Sequence, residues 1–219
     1  MSLSRRDCLR VGLAAGAAAL TPRFAFAGAS AAPLQLALYG CGPRGLALAV
    51  SALRCAADVE LVALADPDAG RATRAAAWWQ HSAQRASLRA RVRLSAGAVL
   101  SGASAAETLA ALASVDVVLM ADDADAPVHA ISRQHLCLWP GRVDAALRWA
   151  LQAALPDAVS RGRVLSVHAP QFEMAAAYAG ATLRARTLSR FFQDIRQGQR
   201  GDVDGRVAAL LAASVTPQA

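Results

Sequence analysis

The residues whose spacing most clearly indicates a chemical role are three glycines near position 40. They form G-x-G-x-x-G in the run Gly40-Cys41-Gly42-Pro43-Arg44-Gly45. In such a turn the first glycine allows a tight bend, the second lets a pyrophosphate approach the backbone, and the third lets a helix pack closely on a strand. Asp66 follows at about 20 residues, the spacing expected of an acid that binds a ribose hydroxyl pair. The pattern predicts a dinucleotide site made by the run 40–45 and Asp66.

Two strands and a helix must position these residues. Leu34–Tyr39 and Val59–Ala65 are apolar runs that suit mostly buried strands. Between them, apolar residues recur at helical spacing after Pro43, which fits a first helical turn because its missing N–H has no partner there. Such a helix points its N-terminal amides and positive dipole end at a phosphate. The alternative is a strand–helix–strand unit whose glycines serve only the turn.

This stretch also resembles a known family. The segments Leu38–Gly45 and Val59–Asp68 are similar to the start of the glucose-fructose oxidoreductase / inositol dehydrogenase family, which opens with a G-C-G-x-R-G-like turn and an A-D-x-D-like strand end. The resemblance covers about Leu34–Gln171 and is strongest before Asp68. It implies an NAD(P)-binding domain and, in the family, a second α/β domain that binds a sugar or polyol. Here only some thirty residues follow the predicted helix Phe172–Leu188, so that domain is expected to be missing.

The sequence departs from the family after its fourth strand, Val115–Ala121. Ligands lie at the carboxyl ends of parallel strands, so Ala121 and Asp122–Pro127 are predicted to border the nucleotide. The family usually has threonine and proline where this chain has aspartates, whose charges would repel a pyrophosphate unless they point to solvent. Few residues separate His129 from the next strand, His135–Leu138, so the usual crossover helix is expected to be shortened or lost.

A catalytic group is hard to assign. Leu138 and Trp139 stand where the family's E-K-P-like motif has its acid and its nicotinamide-contacting lysine, and Pro140 matches the proline. The chain has no lysine at all, and arginine cannot replace a lysine acid/base near neutral pH. His129 is a weak candidate for an acid/base or substrate contact, and the alternative is a histidine that caps the strand end. The four histidines lack zinc-ligand spacing, so no metal site is expected.

The remaining pattern predicts a single α/β domain, a Rossmann-like doubly wound parallel sheet, over residues 28–171. A C-terminal helical extension, 172–219, takes the place of the family's substrate domain. Further helices are predicted at Ala69–Arg89, Gly141–Leu155 and Phe172–Leu188, the second of them ended by Pro156. Another helix is predicted to start at a capping box, Ser104–Glu107, and to run to about Ala113. Further strands are predicted at Arg91–Leu94 and Arg163–His168.

Residues 1–27 resemble a twin-arginine signal peptide. Arg5-Arg6 precede the apolar segment Val11–Leu20, and Ala25-Phe26-Ala27 offers a cleavage site. We therefore expect a periplasmic or secreted protein; an uncleaved surface helix is the alternative. The apolar segment is shorter than the about 20 residues that span a bilayer, so no stable membrane span is expected.

Charge and cysteine content narrow the class of protein. The net charge of +7 falls to about +4 without the signal and is scattered, which does not indicate nucleic-acid binding. The three cysteines after the signal form no C-x-x-C pair, so buried thiols are expected, with one periplasmic disulfide as the alternative.

Three functional hypotheses follow. The first is an exported NAD(P)-binding member of the oxidoreductase family with little or no catalysis. The second is an active NAD(P)-dependent oxidoreductase that uses other residues or completes its site as a homo-oligomer. The third is an interaction domain that no longer binds nucleotide. NAD is favoured over NADP because Asp66 would repel a 2′-phosphate, although Arg71 and Arg74 could reach one.

Overall fold

The computed structural model describes residues 32–81, 83–121, 128, 130–131, 133–139, 145–160, 162–168 and 180–198. The described residues from Pro33 onward belong to one compact unit. Its elements are, in chain order, β1 Leu34–Tyr39, α1 Pro43–Cys55, β2 Val59–Asp66, α2 Ala69–His81, a 3-10 helix Ala83–Arg91, β3 Val99–Ser101, α3 Ala105–Ala111, β4 Val117–Met120, β5 His135–Leu138, α4 Ala145–Ser160, β6 Leu165–Val167 and α5 Gly180–Arg196.

The described strands form one six-stranded sheet in the order β3-β2-β1-β4-β5-β6. Every neighbouring pair is parallel. The chain works outward from β1 on one side and then restarts at β4 on the other, which is the doubly wound order. The predicted Rossmann-like α/β fold is therefore confirmed. The direction of winding reverses between β1 and β4, and ligands of such sheets bind beyond the carboxyl ends of the strands at that point.

The sheet has a core on each face because successive residues of a strand point to opposite sides. On one face, Leu36 and Leu38 of β1 pack in a cluster with α1 and α5, which contributes Leu188, Phe191 and Phe192. On the other face, Ala37 and Tyr39 share a cluster with buried residues of α3 and α4. Both faces of β1 are thus covered, as its mostly apolar sequence predicted.

The third strand is not where the sequence placed it. Within Arg91–Leu94 only Val92 makes a β-bridge, to Leu61 of β2. The strand that pairs with β2 is Val99–Ser101. Three residues are too few to show the alternation that identifies a strand, which explains the error. The helix predicted over Ala69–Arg89 is also too long, since α2 ends at His81 and a 3-10 helix follows.

Other helix ends differ from expectation as well. Ser104 is the N-cap of α3 but its side chain makes no capping hydrogen bond, so the predicted capping box is wrong although the helix forms. Pro156 does not end α4, which continues to Ser160. Pro156 is exposed, so its ring faces solvent and the helix loses one backbone hydrogen bond without a core clash. Helix α5 extends past Leu188 to Arg196.

Several predictions fall outside the described residues. These are the signal peptide 1–27, the segment Asp122–Pro127, His129, Pro140, and the starts and ends of the C-terminal extension at 172–179 and 199–219. In the β4–β5 connection, the residues that are described (128, 130–131 and 133–134) are not helical. No helix in the described part of the chain is long and apolar enough to cross a membrane. Cys41, Cys55 and Cys137 are free thiols; Cys41 and Cys137 are buried, as expected, whereas Cys55 is only partly buried.

Candidate functional site

The glycine turn between β1 and α1 has the backbone geometry that its glycines were predicted to allow. Gly40 has a φ of +89°, in the left-handed region that side chains disfavour. Its N–H donates to the carbonyl of Ala65, 2.9 Å away, which ties the turn to β2. A Cβ on Gly45 would lie 1.8 Å from the Gly40 carbonyl oxygen. Glycine is therefore required at both positions for α1 to pack this close to β1.

Gly42 is different, because its environment inside the protein would tolerate a side chain. It is the N-cap of α1 with extended backbone (φ −70°, ψ 178°), and Pro43 follows in the first turn. A Cβ on Gly42 would meet no atom within 4 Å. A glycine N-cap has no side chain to cap the helix, and the first amides of a helix have no partner within it. The helix end therefore opens onto space of the kind that a phosphate occupies, and its first turn carries no acidic residue.

Asp66, at the end of β2, is completely buried, and its carboxylate accepts hydrogen bonds from several donors. Its Oδ2 accepts from the backbone N–H of Cys41 at 2.8 Å, across the glycine turn. Its Oδ1 accepts from the backbone N–H of Asp68, also at 2.8 Å. The Arg71 Nε lies 2.9 Å from Oδ1 and 3.0 Å from Oδ2, and Arg71 Nη2 lies 2.9 Å from Oδ1. Asp66 thus connects β2, the glycine turn and α2 through one carboxylate.

Asp68 and Arg71 lie where α2 begins. The Oδ1 of Asp68 accepts from the backbone N–H of Arg71 at 2.9 Å, so Asp68 caps the helix. That hydrogen bond, with smaller contributions from Arg71 and Arg74 charges, lowers the pKa of the exposed Asp68. The corner beside the glycine turn therefore carries the carboxylates of Asp66 and Asp68 together with the guanidinium of Arg71.

The other predicted cofactor residues lie around the same turn. Cys41 is buried, with its Sγ 3.5 Å from the Ala65 carbonyl. Arg44 is exposed on the first turn of α1. Ala121 is buried just beyond β4, and its N–H donates to the Tyr39 carbonyl at 3.0 Å. The structure thus brings the run 40–45, Asp66 and Ala121 to one edge of the sheet.

The same edge continues through Trp139 and His168. The N–H of Trp139 donates to the carbonyl of Met120 at 2.7 Å, and that of His168 to the carbonyl of Leu138 at 2.8 Å. Each residue therefore lies one step beyond its strand, in the same row as Gly40 and Ala121. The rings of Trp139 and His168 stack, with centroids 5.0 Å apart.

His168 is also held by a serine. Its Nε2 lies 2.6 Å from the Oγ of Ser166, and both residues are buried. The sequence analysis missed this pair, although residues two apart on a strand share a face and a serine and a histidine at that spacing can meet. The edge therefore carries an oriented imidazole beyond β6, a strand of the half-sheet that begins at β4.

The strand order and the glycine turn at the head of α1 define the class of this molecule, a Rossmann-like α/β fold. No family model and no curated protein matches the sequence. Solved structures of similar fold include biliverdin reductase from Synechocystis sp. PCC 6803, in complex with biliverdin and NADP+, at 17% identity over 62% of this chain and 38% of that chain (TM-score 0.44).

Two further solved structures are comparable. An NAD binding oxidoreductase from Klebsiella pneumoniae is 22% identical over 71% of this chain and 39% of that chain, with a TM-score of 0.44. A variant of KijD10, a 3-ketoreductase from Actinomadura kijaniata in complex with TDP-benzene and NADP, is 21% identical over 67% and 43% (TM-score 0.41). This chain thus spans only about two-fifths of the length of each of the three.

Proposed function

We propose that this protein binds a nicotinamide dinucleotide, NAD or NADP, at the glycine turn, as a member of the oxidoreductase family that its sequence resembles. One observation carries the proposal: Gly42 caps α1 with open space beside it at the point where the sheet reverses. Gly40 and Gly45 are explained by the turn and by helix packing, but nothing within the described protein requires glycine at position 42. A pyrophosphate seated on the α1 amides would require it.

The test is a glycine-to-alanine pair. Gly42→Ala adds a methyl group where the phosphate would lie, so it is expected to weaken dinucleotide binding at least tenfold. Gly97→Ala is the matched control, because a Cβ there also meets nothing within 4 Å and the position is remote from the turn. Both variants are expected to have the same melting temperature as the parent protein. Titration calorimetry with NAD(H) and NADP(H) decides, and equal affinity of the two variants would contradict the proposed site.

We further propose that this protein has little or no catalytic activity, since no lysine exists to fill the family's motif. The Ser166–His168 pair favours a second candidate, an active oxidoreductase on a sugar or polyol. A bound NAD(P) would supply the hydride acceptor. The imidazole of His168, fixed by Ser166 and by the Trp139 ring, would hold the proton that a substrate hydroxyl loses.

These two candidates differ in a measurable way. The full-length protein is incubated with NAD or NADP and a panel of sugars and polyols, and the absorbance of the reduced cofactor is followed. No turnover by a protein that binds the cofactor supports the first candidate. Turnover that is lost in His168→Gln, with cofactor affinity retained, supports the second.

We also propose export through the twin-arginine pathway, on the order of charged, apolar and cleavage segments in residues 1–27. The test is fractionation of a bacterium that expresses the full chain. Mature protein is expected in the periplasm, and a variant with Arg5→Lys and Arg6→Lys is expected to stay in the cytoplasm. Equal distribution of both proteins would contradict the signal.

A further inference from the structure

We infer that Asp66 is the internal counter-ion of Arg71, not a ribose ligand, and that Arg71 makes the site prefer NADP to NAD. The inference rests on the proposed dinucleotide site and specifies its ligand. It reverses the preference for NAD that the sequence suggested, because that preference assumed an Asp66 carboxylate facing the nucleotide. In the structure, the Asp66 carboxylate is buried and accepts its hydrogen bonds from groups of the protein.

The hydrogen-bond acceptor sites of Asp66 are used by groups of the protein. A carboxylate offers about four lone-pair sites on two oxygens. The backbone N–H groups of Cys41 and Asp68 take one on each oxygen, at 2.8 Å. The Nε and Nη2 of Arg71 approach from the remaining side at 2.9–3.0 Å. With its side chain 0% exposed, Asp66 has neither acceptor sites nor accessible surface for two ribose hydroxyls.

Opening the Asp66–Arg71 ion pair would cost free energy. If Arg71 moved away, Asp66 would be a buried carboxylate without its counter-ion. A buried charge that loses its partner is strongly destabilised. Ribose hydroxyls would give up hydrogen bonds to water in order to bind Asp66. The free energy gained in this exchange is smaller than the free energy lost with the ion pair. The pair is therefore expected to stay closed when a dinucleotide binds.

The closed ion pair exposes Arg71 and not Asp66 to a bound nucleotide. The Arg71 side chain is 41% exposed, and Asp66 fixes its guanidinium. With Asp66 neutralised by this pair, the repulsion expected for a 2′-phosphate is removed. An arginine held in place loses little conformational freedom on binding a phosphate, and its planar fork matches phosphate oxygens. The adenosine ribose of a dinucleotide lies beyond β2 in this fold, so a 2′-phosphate would meet Arg71.

The deciding experiment is calorimetric titration of the full-length protein with NADPH and NADH. NADPH is expected to bind at least tenfold more tightly. Arg71→Gln is expected to reduce the affinity for NADPH to about that for NADH. Arg54→Gln, exposed in the last turn of α1 at the end away from the glycine turn, is the matched control and is expected to change either affinity less than threefold. Equal or tighter binding of NADH than of NADPH by the parent protein, or an NADPH preference that is unchanged in Arg71→Gln, would overturn the inference.

Asp66→Asn separates the two roles of the acid. If Asp66 is a counter-ion, its replacement is expected to lower the Tm. It is also expected to weaken the binding of NADPH more than that of NADH, because Arg71 is no longer held in place. A ribose ligand would instead give a selective loss of NADH affinity at an unchanged Tm, which would refute the inference. If Asp66→Asn does not fold, Arg71→Gln still decides. A folded parent protein that binds neither nucleotide would refute the proposed function, whereas NADH binding without an NADPH preference would refute only this inference.

Discussion

At the scale of single residues, His135 shows how a partly buried polar side chain holds two strands together. It begins β5, and its Nδ1 accepts the backbone N–H of Val164, just before β6, at 3.0 Å. Only the neutral imidazole can accept this hydrogen bond. Burial lowers the pKa of His135 below its ordinary 6.5; the charge of Arg163 adds to this and that of Asp116 opposes it.

This arrangement predicts a loss of stability in mild acid. Because the folded-state pKa of His135 lies below the unfolded value, its contribution is fully present above about pH 6.5 and is lost as pH falls through the folded-state pKa. Thermal melts at several pH values between about 8 and about 5, a range that brackets the ordinary pKa of histidine, measure this loss. His135→Asn, whose amide oxygen can accept the same N–H without titrating, is expected to flatten the pH dependence.

The matched control is the exposed His81 at the end of α2. His81→Asn is expected to leave the pH dependence of the Tm as it is in the parent protein. A His135→Asn variant that loses as much Tm between the two pH values as the parent would show that other groups carry the acid sensitivity.

At the scale of elements, α5 is part of the core. Leu188, Phe191 and Phe192 are buried in the cluster that also contains the inner faces of α1 and β1. Arg196, at the end of the helix, forms an ion pair with Asp58 in the turn before β2. Helix α5 thus packs on the face of the sheet that carries α1, and so it supports the helix whose N-terminus forms the proposed site.

Truncation of Phe192 tests this role. Its side chain is 0% exposed, so Phe192→Ala is expected to reduce the free energy of unfolding by about 3–5 kcal/mol, from lost burial and the cavity left behind. Urea denaturation measures the change. Arg190→Ala, exposed on the same helix, is expected to stay within about 0.5 kcal/mol of the parent. Similar midpoints for both variants would mean that α5 packs only loosely on the sheet.

At the scale of the whole molecule, the proposed site exists only in the folded state. The glycine turn, the Asp66 carboxylate and α2 come from separate segments, joined by hydrogen bonds such as Cys41 N–H to Asp66 over 25 positions of sequence. A dinucleotide that binds here stabilises the fold by mass action. At a free concentration of 100 Kd the free energy of unfolding is expected to rise by about 2.7 kcal/mol.

Denaturation with and without NADPH checks this linkage. The stabilisation is expected to fall to about 1.4 kcal/mol or less in Gly42→Ala at the same nucleotide concentration, since a tenfold weaker affinity leaves the free ligand at about 10 Kd of that variant. Equal stabilisation of the parent and of Gly42→Ala would place the nucleotide elsewhere on the molecule.

Local signals in the sequence determined the first half of the fold. The apolar runs of β1 and β2, the glycine turn and α1 were predictable because each depends on residues close in sequence: buried strands are continuously apolar, and Gly40 and Gly45 are needed for a bend and a close contact. The short strand β3 and the course of α4 through Pro156 were not, because three residues show no period and tertiary packing overrides a helix breaker.

Only the tertiary structure decided the chemistry of the site. The spacing of Asp66 predicted a ribose ligand, yet spacing cannot show that Cys41 and Arg71 occupy its oxygens. Likewise, Ser166, His168 and Trp139 come together because β5 and β6 are paired, and no local pattern specifies that pairing. A backbone turn follows from neighbouring residues, whereas the availability of a charged side chain depends on every segment that packs around it.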